Sequence, residues 1–343
     1  MPLTKLNFQP GLDTENTETG AEGRWIDGDK IRFRKGLPQK IGGWNKFSSA
    51  YYVGVGRALE QWFSLSGARY EALGTDRKVY AYASGDSQDI TPIRETANLV
   101  NAFTTTNTSA NVTISDLNHG AKQGDFVTLS STSSSIGGIP AATLDAEYEI
   151  LSITNVDAYI ISSNATATST IGPTGNCTAT YQLNIGPGFQ TFGYGWGSGA
   201  WSASTWGTPR TTSNVTIDAR LWSINNWGED LIITQKDGST YEWDLSAGMT
   251  GNRATIIANA PTKSTLSMVS TETRHVVCMG TETSIGNVST QDKMFIRWSD
   301  QEEYNQWTPN VTNSAGSQRI AGGSEIRCAR PAKGAILVWT DTT

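Results

Sequence analysis

The chain has 343 residues, a net charge of −6, 17% charged residues, 35 glycines and 12 tryptophans. This composition favours many short strands and turns over long helices, and its acidity argues against a protein that grips nucleic acid over its whole surface. Three unevenly spaced cysteines argue against a disulfide framework. Residues 1–9 lack a signal-peptide pattern, and no apolar run approaches the ~20 residues of a spanning helix. We therefore expect a soluble protein made in a reducing cytoplasm.

Residues 1–23 predict an extended N-terminal arm, because prolines, a glycine and an acidic, Thr-rich run leave no periodic pattern there. Such an arm is either disordered or ordered by contact with a neighbouring molecule, and the sequence leaves both states open.

A basic strip follows the arm. It consists of Lys30, Arg32, Arg34 and Lys35. Because Arg32 and Arg34 alternate with apolar residues, a strand would place the cations on one face. Two interpretations stay open: a solvated strand face, or a contact with an acidic neighbour or with DNA phosphates.

A module of short strands with aromatic residues recurs along the chain. Copies are predicted at residues 57–92, 220–261, 275–309 and 326–339, and Pro261 and Pro309, which close two of them, are 48 residues apart. That spacing is close to the ~40–50 residues of a propeller blade. In the copy that begins at Arg220, Asp237-Gly238 predicts a tight turn in which glycine takes the positive φ.

Residues 95–186 interrupt this pattern, since they lack tryptophan and are rich in Thr, Ser, Asn and Ala. Alternating segments such as residues 111–114, 125–129, 147–150 and 158–161 predict strands. The sequence therefore predicts an all-β fold, a β-propeller with an inserted small β-sandwich-like domain. Its parts are an arm (1–23), a first propeller part (24–94), the insertion (95–186) and the remaining propeller (187–343).

A glycine-rich aromatic stretch follows the insertion at residues 186–209. Its candidate interaction residues are Trp196, Trp201 and Trp206. One interpretation is that the rings pack the junction where the insertion rejoins the propeller. The other is a platform on which sugars stack.

Several segments resemble virion tail proteins of short-tailed bacteriophages. The resemblance lies in residues 6–13, 25–36 and 40–44, in residues 118–120, 124–127 and 144–148 of the insertion, and in the Gly/Trp stretch. The family is that of tail nozzle or hub proteins, also described as packaged-DNA stabilisation proteins. It implies a β-propeller, self-association in a hexameric ring below the portal and adaptor, contact with tail fibres, and double-stranded DNA passing without sequence-specific binding. It also implies a virion-tail location after assembly in the host cytoplasm, with no cofactor.

The sequence departs from that family at its C-terminus. The last residues, 339–343, fall in the middle of a predicted blade, whereas relatives continue past such a point. Two expectations follow: part of the protein lies beyond Thr343, or the N-terminal strand closes the ring.

The sequence offers one candidate set of catalytic residues and no metal-binding motif. His119 and His275 are the only histidines and lack metal-ligand spacing with the cysteines; His119, before a glycine, predicts a turn. A carboxylate pair for glycoside hydrolysis would come from the acidic blade turns. These carboxylates are Glu229, Asp230, Asp300, Glu302 and Glu303.

The sequence is therefore consistent with three functions. The first is a non-enzymatic ring subunit of a phage tail that extends the DNA channel, retains packaged DNA and passes it during ejection. The second is a receptor- or polysaccharide-binding propeller. Quenching of Trp fluorescence by a host polysaccharide would favour this function. The third is a glycosidase propeller. A loss of activity specifically in the Asp300→Asn variant would favour this function.

Overall fold

The computed structural model describes residues 8–190 and 217–342. The chain forms two compact units, residues 1–49 and residues 50–343. In the described ranges, regular structure is almost entirely strand: twenty-four strands accompany one four-residue helix and two 3-10 turns. No helix in these ranges is long and apolar enough to cross a membrane. The prediction of an all-β fold is confirmed.

The first unit contains one β-hairpin. Its strands are β1 (Ile31–Arg34) and β2 (Leu37–Lys40), and they pair antiparallel. Lys35-Gly36 makes the turn, with both residues at positive φ. Nearer the N-terminus, Asp13 pairs with Arg24 at 3.2 Å.

The second unit opens with a four-stranded antiparallel meander, here called blade 1. Its strands are β3 (Gly56–Phe63), β4 (Arg69–Thr75), β5 (Val79–Ala83) and β6 (Asp86–Asp89). Val79 and Ala81 are fully buried on one face of β5. Tyr80 points to the opposite face, as alternation in a strand requires, and its hydroxyl accepts from the Val53 N–H at 3.0 Å.

An eight-stranded antiparallel sheet interrupts the meanders, as the inserted segment. Its strands are β7 (Ile93–Leu99), β8 (Phe103–Thr105), β9 (Asn111–Ser115), β10 (Phe126–Ser130), β11 (Glu147–Asn155), β12 (Ala158–Ser162), β13 (Ile171–Thr174) and β14 (Cys177–Gln182), with helix α1 (Ala141–Leu144) before β11. The spatial order is β13-β8-β9-β12-β11-β10-β14-β7. Leu99 of β7 and Phe103 of β8, near opposite ends of this order, share one buried core. The sheet therefore folds over that core in a sandwich-like manner.

Two further four-stranded meanders and a hairpin follow. Blade 2 contains β15 (Trp222–Trp227), β16 (Asp230–Gln235), β17 (Thr240–Trp243) and β18 (Thr255–Ile256), with a 3-10 turn at Leu245–Ala247. Blade 3 contains β19 (Leu266–Val269), β20 (Val276–Met279), β21 (Phe295–Trp298) and β22 (Gly316–Arg319), with a 3-10 turn at Val288–Thr290. Blade 4 contains β23 (Ile326–Ala332) and β24 (Ala335–Thr340).

The first strands of the blades lie side by side. β15 contacts β3 on one side and β19 on the other, and β19 contacts β23. One apolar cluster, with Trp243 and Leu231 fully buried, joins blade 1 to blade 2. A second, with Val276 and Cys278 fully buried, joins blade 2 to blade 3. Face-to-face packing of meanders around their first strands is the propeller arrangement, and it removes the faces of the inner sheets from water.

The turn at Asp237-Gly238 forms, but its positive φ falls on Asp237 (55°) and not on the glycine. That part of the prediction is wrong. Asp tolerates the left-handed region better than most residues, and the Asp237 carboxylate is held by Gln291 Nε2 at 2.9 Å and by Lys293 Nζ. A Cβ at position 238 would lie 2.9 Å from Gln235 Cδ, so a larger residue there would require the Gln235 side chain to shift.

Candidate functional site

A cavity of about 490 Å³ lies where the first strands of the four blades meet. Its walls come from β3, β15, β19 and β23 and from the residues next to them. Because consecutive blades each present their first strand here, this cavity corresponds to the axial channel of a propeller. The charged side chains that line it are Arg57, Glu60, Lys236, Glu325, Arg327 and Arg330.

Three of the four cations that line this channel pair with an acceptor. Lys236 Nζ lies 2.6 Å from Asp218 Oδ2, and Arg327 lies 3.1 Å from Glu325. Arg57 donates to a backbone carbonyl, that of Gly188. A cation that is already paired neutralises an incoming phosphate less well. The channel is thus polar, with four cations and two carboxylates in its lining.

Glu60 of β3 and Arg330 of β23 both line the channel. Burial raises the pKa of Glu60, and Arg330 acts in the opposite direction by favouring the charged carboxylate.

The basic strip lies on the hairpin of the first unit. Arg32 and Arg34 are exposed on one face of β1, whereas Ile31 and Phe33 are half-buried on the other. Arg32 Nε donates to Gln39 Oε1 across the hairpin at 3.2 Å. The strip's other two members flank the strand at positive φ, and Lys30 lies 3.3 Å from Asp29 with both side chains 83% exposed. The structure thus brings two of the four predicted cations onto one strand face.

The second predicted interaction site, Trp196, Trp201 and Trp206, lies outside the described residues.

The candidate glycosidase carboxylates occupy turns of two blades. Glu229 Oε1 accepts from the Leu65 N–H at 2.6 Å, and Asp230 Oδ1 accepts from the Leu245 N–H at 2.9 Å. Burial raises the pKa of Asp230, with Asp244 and Glu229 adding to the effect. In blade 2, therefore, these carboxylates hold backbone N–H groups of neighbouring segments.

In blade 3, Asp300 accepts from the hydroxyl and the N–H of Ser314 at 2.6 and 2.8 Å and from the Gln301 N–H at 2.8 Å. The bonds from Ser314 hold the pKa of Asp300 below its usual value, which is opposite to the raised pKa of a general acid. Glu302 and Glu303 are exposed.

Both histidines take part in hydrogen bonds. His119 is buried, and its Nδ1 accepts from the Ala121 N–H at 3.0 Å. Its Nε2–H therefore donates to the Asn155 carbonyl at 3.2 Å, which fixes the tautomer and closes a turn. His275 lies between Thr273 (2.7 Å) and Ser314 (3.0 Å). Within residues 8–190 and 217–342, no group of three or more His, Cys, Asp and Glu side chains is placed to hold a metal ion.

Sequence reasoning missed the charged lining of the channel. Glu60, Lys236, Arg327 and Arg330 are far apart in sequence and match no motif. The repeat could have identified these lining strands, because the first strand of each copy lies along the axis of a propeller.

An apolar groove of about 420 Å³ lies between blade 3 and blade 4. Val277 and Met279 of β20 and Ile296 and Trp298 of β21 form one wall. β24 supplies the facing wall.

No protein-family model matches the chain. No curated protein matches it. Among solved structures, phage phi92 endosialidase is similar over 86% of this chain and 41% of that chain, with 12% sequence identity and a TM-score of 0.24. The chain thus spans less than half the length of that protein, and a TM-score of this size does not equate the two folds.

Proposed function

We propose that the chain is a structural protein of a short phage tail, a non-enzymatic subunit of the nozzle or hub ring. The observation that carries this proposal is the architecture, since propeller-type blades interrupted by an inserted β-domain are what the sequence resemblance implies. The ring would extend the DNA channel below the portal and adaptor, retain packaged DNA and pass it during ejection.

The electrostatics of the chain fit this role. The net charge is −6, and an acidic protein repels the phosphates of DNA. Each phosphate contact with a Lys or Arg adds affinity, so a conduit with few unpaired cations lets DNA slide. The cavity inside one subunit has the size of a small-molecule pocket. DNA would therefore pass through the centre of the ring and not through this cavity.

The basic strip is the exception to this pattern. Arg32 and Arg34 are exposed on one strand face, and we assign them to a contact with a neighbouring subunit or with DNA at the lumen. R32E/R34E should then reduce ring assembly or the DNA content of particles. R32K/R34K, which keeps the charge, is the matched control. Normal particles with normal DNA content for R32E/R34E would contradict this role.

Averaged electron images of particles labelled with an antibody fragment test the proposal as a whole. Label arranged as a ring around the tail axis is expected, and it would give the subunit count directly. Label on peripheral appendages would instead favour receptor binding. Particles without label would overturn the assignment to the tail.

A further inference from the structure

Ser267 of β19 holds a buried hydroxyl at the wall of the cavity on the propeller axis, here called the channel cavity. The residue lines this cavity and is only 4% exposed. Within the described ranges its Oγ has no hydrogen-bond partner. Most buried polar side-chain atoms in proteins are paired, and one that is left unpaired costs free energy. A ligand in the cavity that hydrogen-bonds to this hydroxyl would remove that cost.

Backbone groups surround the same cavity. Its four wall strands, β3, β15, β19 and β23, each come first in their sheet and, as far as the structure describes the chain, pair on one side only. The free edge of a strand presents unpaired N–H and C=O groups, and N–H groups at a sheet edge can hold an anion. Asn225 of β15 ties two of these strands together, because its Nδ2 donates to the Ser267 carbonyl at 3.2 Å. The wall beside the Ser267 hydroxyl is therefore held in place.

The charges of the lining favour an anion as the ligand. Among the described residues the lining contains four cations and two carboxylates, which leaves two positive charges in excess. Three of these cations already meet an acceptor. The fourth, Arg330, is exposed and acts electrostatically on Glu60. Its planar guanidinium matches the geometry of a carboxylate or a phosphate group.

The size and the apolar walls of the cavity favour an organic anion over an inorganic ion. The volume is about 490 Å³, and small-molecule sites typically enclose ~300–1,000 Å³. Leu221, Leu266 and Met268 add apolar surface to the walls. A bare phosphate ion would leave most of this surface without a contact, whereas a molecule of the size of a sugar would cover it.

We propose that the channel cavity binds a small organic anion, a molecule of the size of a monosaccharide that carries one carboxylate or one phosphate group. The acidic group binds Arg330, and a polar group of the ligand hydrogen-bonds to the Ser267 hydroxyl. Both residues line the one cavity. The site goes beyond the proposed tail function and does not depend on it, because all of its residues belong to a single chain.

Cys328 reports whether the cavity is occupied, since this cysteine is exposed and lies in the lining. Iodoacetamide, a small uncharged reagent, alkylates it in the full chain, and mass spectrometry of the Cys328 peptide gives the rate. Glucuronate, glucose 6-phosphate and uncharged glucose are compared as probes at constant ionic strength. At least one of the two anions should slow the alkylation, and the one that does identifies the acidic group. Equal protection by glucose, or no protection by any probe, would overturn the proposal.

Variants of the two proposed contacts test the position of the ligand. S267A removes a hydroxyl that has no partner, so it should not lower the melting temperature, but it should raise the probe concentration for half-maximal protection about three- to tenfold. R330Q should raise that concentration about tenfold or more, and R330K, which keeps the charge, should raise it less.

K333Q is the matched control for R330Q. It makes the same charge change in the β23–β24 turn, outside the lining, and it should leave the protection unchanged. Protection that is unaffected in both S267A and R330Q would overturn the proposed site. Protection that K333Q weakens as much as R330Q would show a general effect of charge and would overturn the site as well.

Discussion

Lys78 Nζ lies 2.9 Å from Asp89 Oδ2, with the two side chains only 5% and 16% exposed. The same ammonium donates to Glu147 of the inserted sheet. Arg253, which precedes β18 of blade 2, lies 2.8 Å from Asp89. One buried charge cluster thus ties blade 1, the insertion and blade 2 together, and it fixes where the inserted sheet leaves the propeller.

Removal of the Lys78 charge should destabilise the protein strongly. Lys78→Met leaves Asp89 and Glu147 with Arg253 as their main counter-charge, and breaking a buried ion pair costs about 3 kcal/mol or more. Urea unfolding followed by Trp fluorescence measures the loss. Lys30→Met is the control, because Lys30 and Asp29 are both 83% exposed and such pairs are worth ~0–1 kcal/mol. Equal losses in the two variants would show that burial of the cluster is unimportant.

The same cluster should contribute to stability in a pH-dependent way. Burial alone would raise the pKa of Asp89, but Lys78 and Arg253 outweigh it and hold that pKa below its usual value. A depressed carboxyl pKa stabilises the fold above the unfolded pKa of ~3.9, and that stability is lost as pH falls through the folded value. The difference in unfolding free energy between wild type and Asp89→Asn should therefore be large at pH 7 and shrink below about pH 4. A difference that stays constant down to pH 2 would contradict the assignment.

Gly74 should not tolerate a methyl group. A Cβ at this position would lie 2.8 Å from Trp222 Cδ1, and the ring is held in place because its Nε1 donates to the Thr75 carbonyl at 2.6 Å. Gly74→Ala should cost about 1–3 kcal/mol through overpacking between blades 1 and 2. Gly56→Ala is the matched control, since a Cβ there meets its nearest atom at 3.4 Å. Similar unfolding midpoints for the two variants would rule out the steric explanation.

Glu282 is a fully buried carboxylate that organises two loops. Its Oε1 accepts from the Thr262 and Gly286 N–H groups at 2.9 and 2.6 Å. Glu282→Gln should cost about 1–3 kcal/mol, because a neutral amide oxygen accepts these N–H groups more weakly than a carboxylate oxygen does. Glu303→Gln, at an exposed position, should be nearly neutral, and thermal unfolding compares the two. A neutral Glu282→Gln would mean that the loops hold without this carboxylate.

The three thiols should react at different rates. Cys328 is exposed in the channel, whereas Cys177 and Cys278 are buried. Burial raises the pKa of Cys177 to about 12 and that of Cys278 to about 11, and the thiolate is the reactive form. An aromatic disulfide reagent at pH 8 should therefore titrate one thiol per native chain, and Cys328→Ser should remove that reaction. Rapid reaction of a second thiol in the native protein would show that a buried cysteine is accessible.

The sequence by itself determined the strands, because alternation and turn dipeptides act over a few residues. Leu231–Thr234 and Ala335–Trp339 are strands where apolar residues predict them. The repeat of these modules was enough to predict propeller blades and an insertion between them. It also placed Arg32 and Arg34 together, since residues two apart share a strand face.

Only the tertiary structure decided which distant residues meet. Nothing local pairs Lys78 with Asp89 and Glu147, or brings Glu60 near Arg330, because such contacts depend on how whole sheets pack. The positive φ at Asp237 likewise follows from partners at Gln291 and Lys293, more than fifty residues away. The apolar groove between blade 3 and blade 4 likewise appears only once these sheets are placed side by side in space.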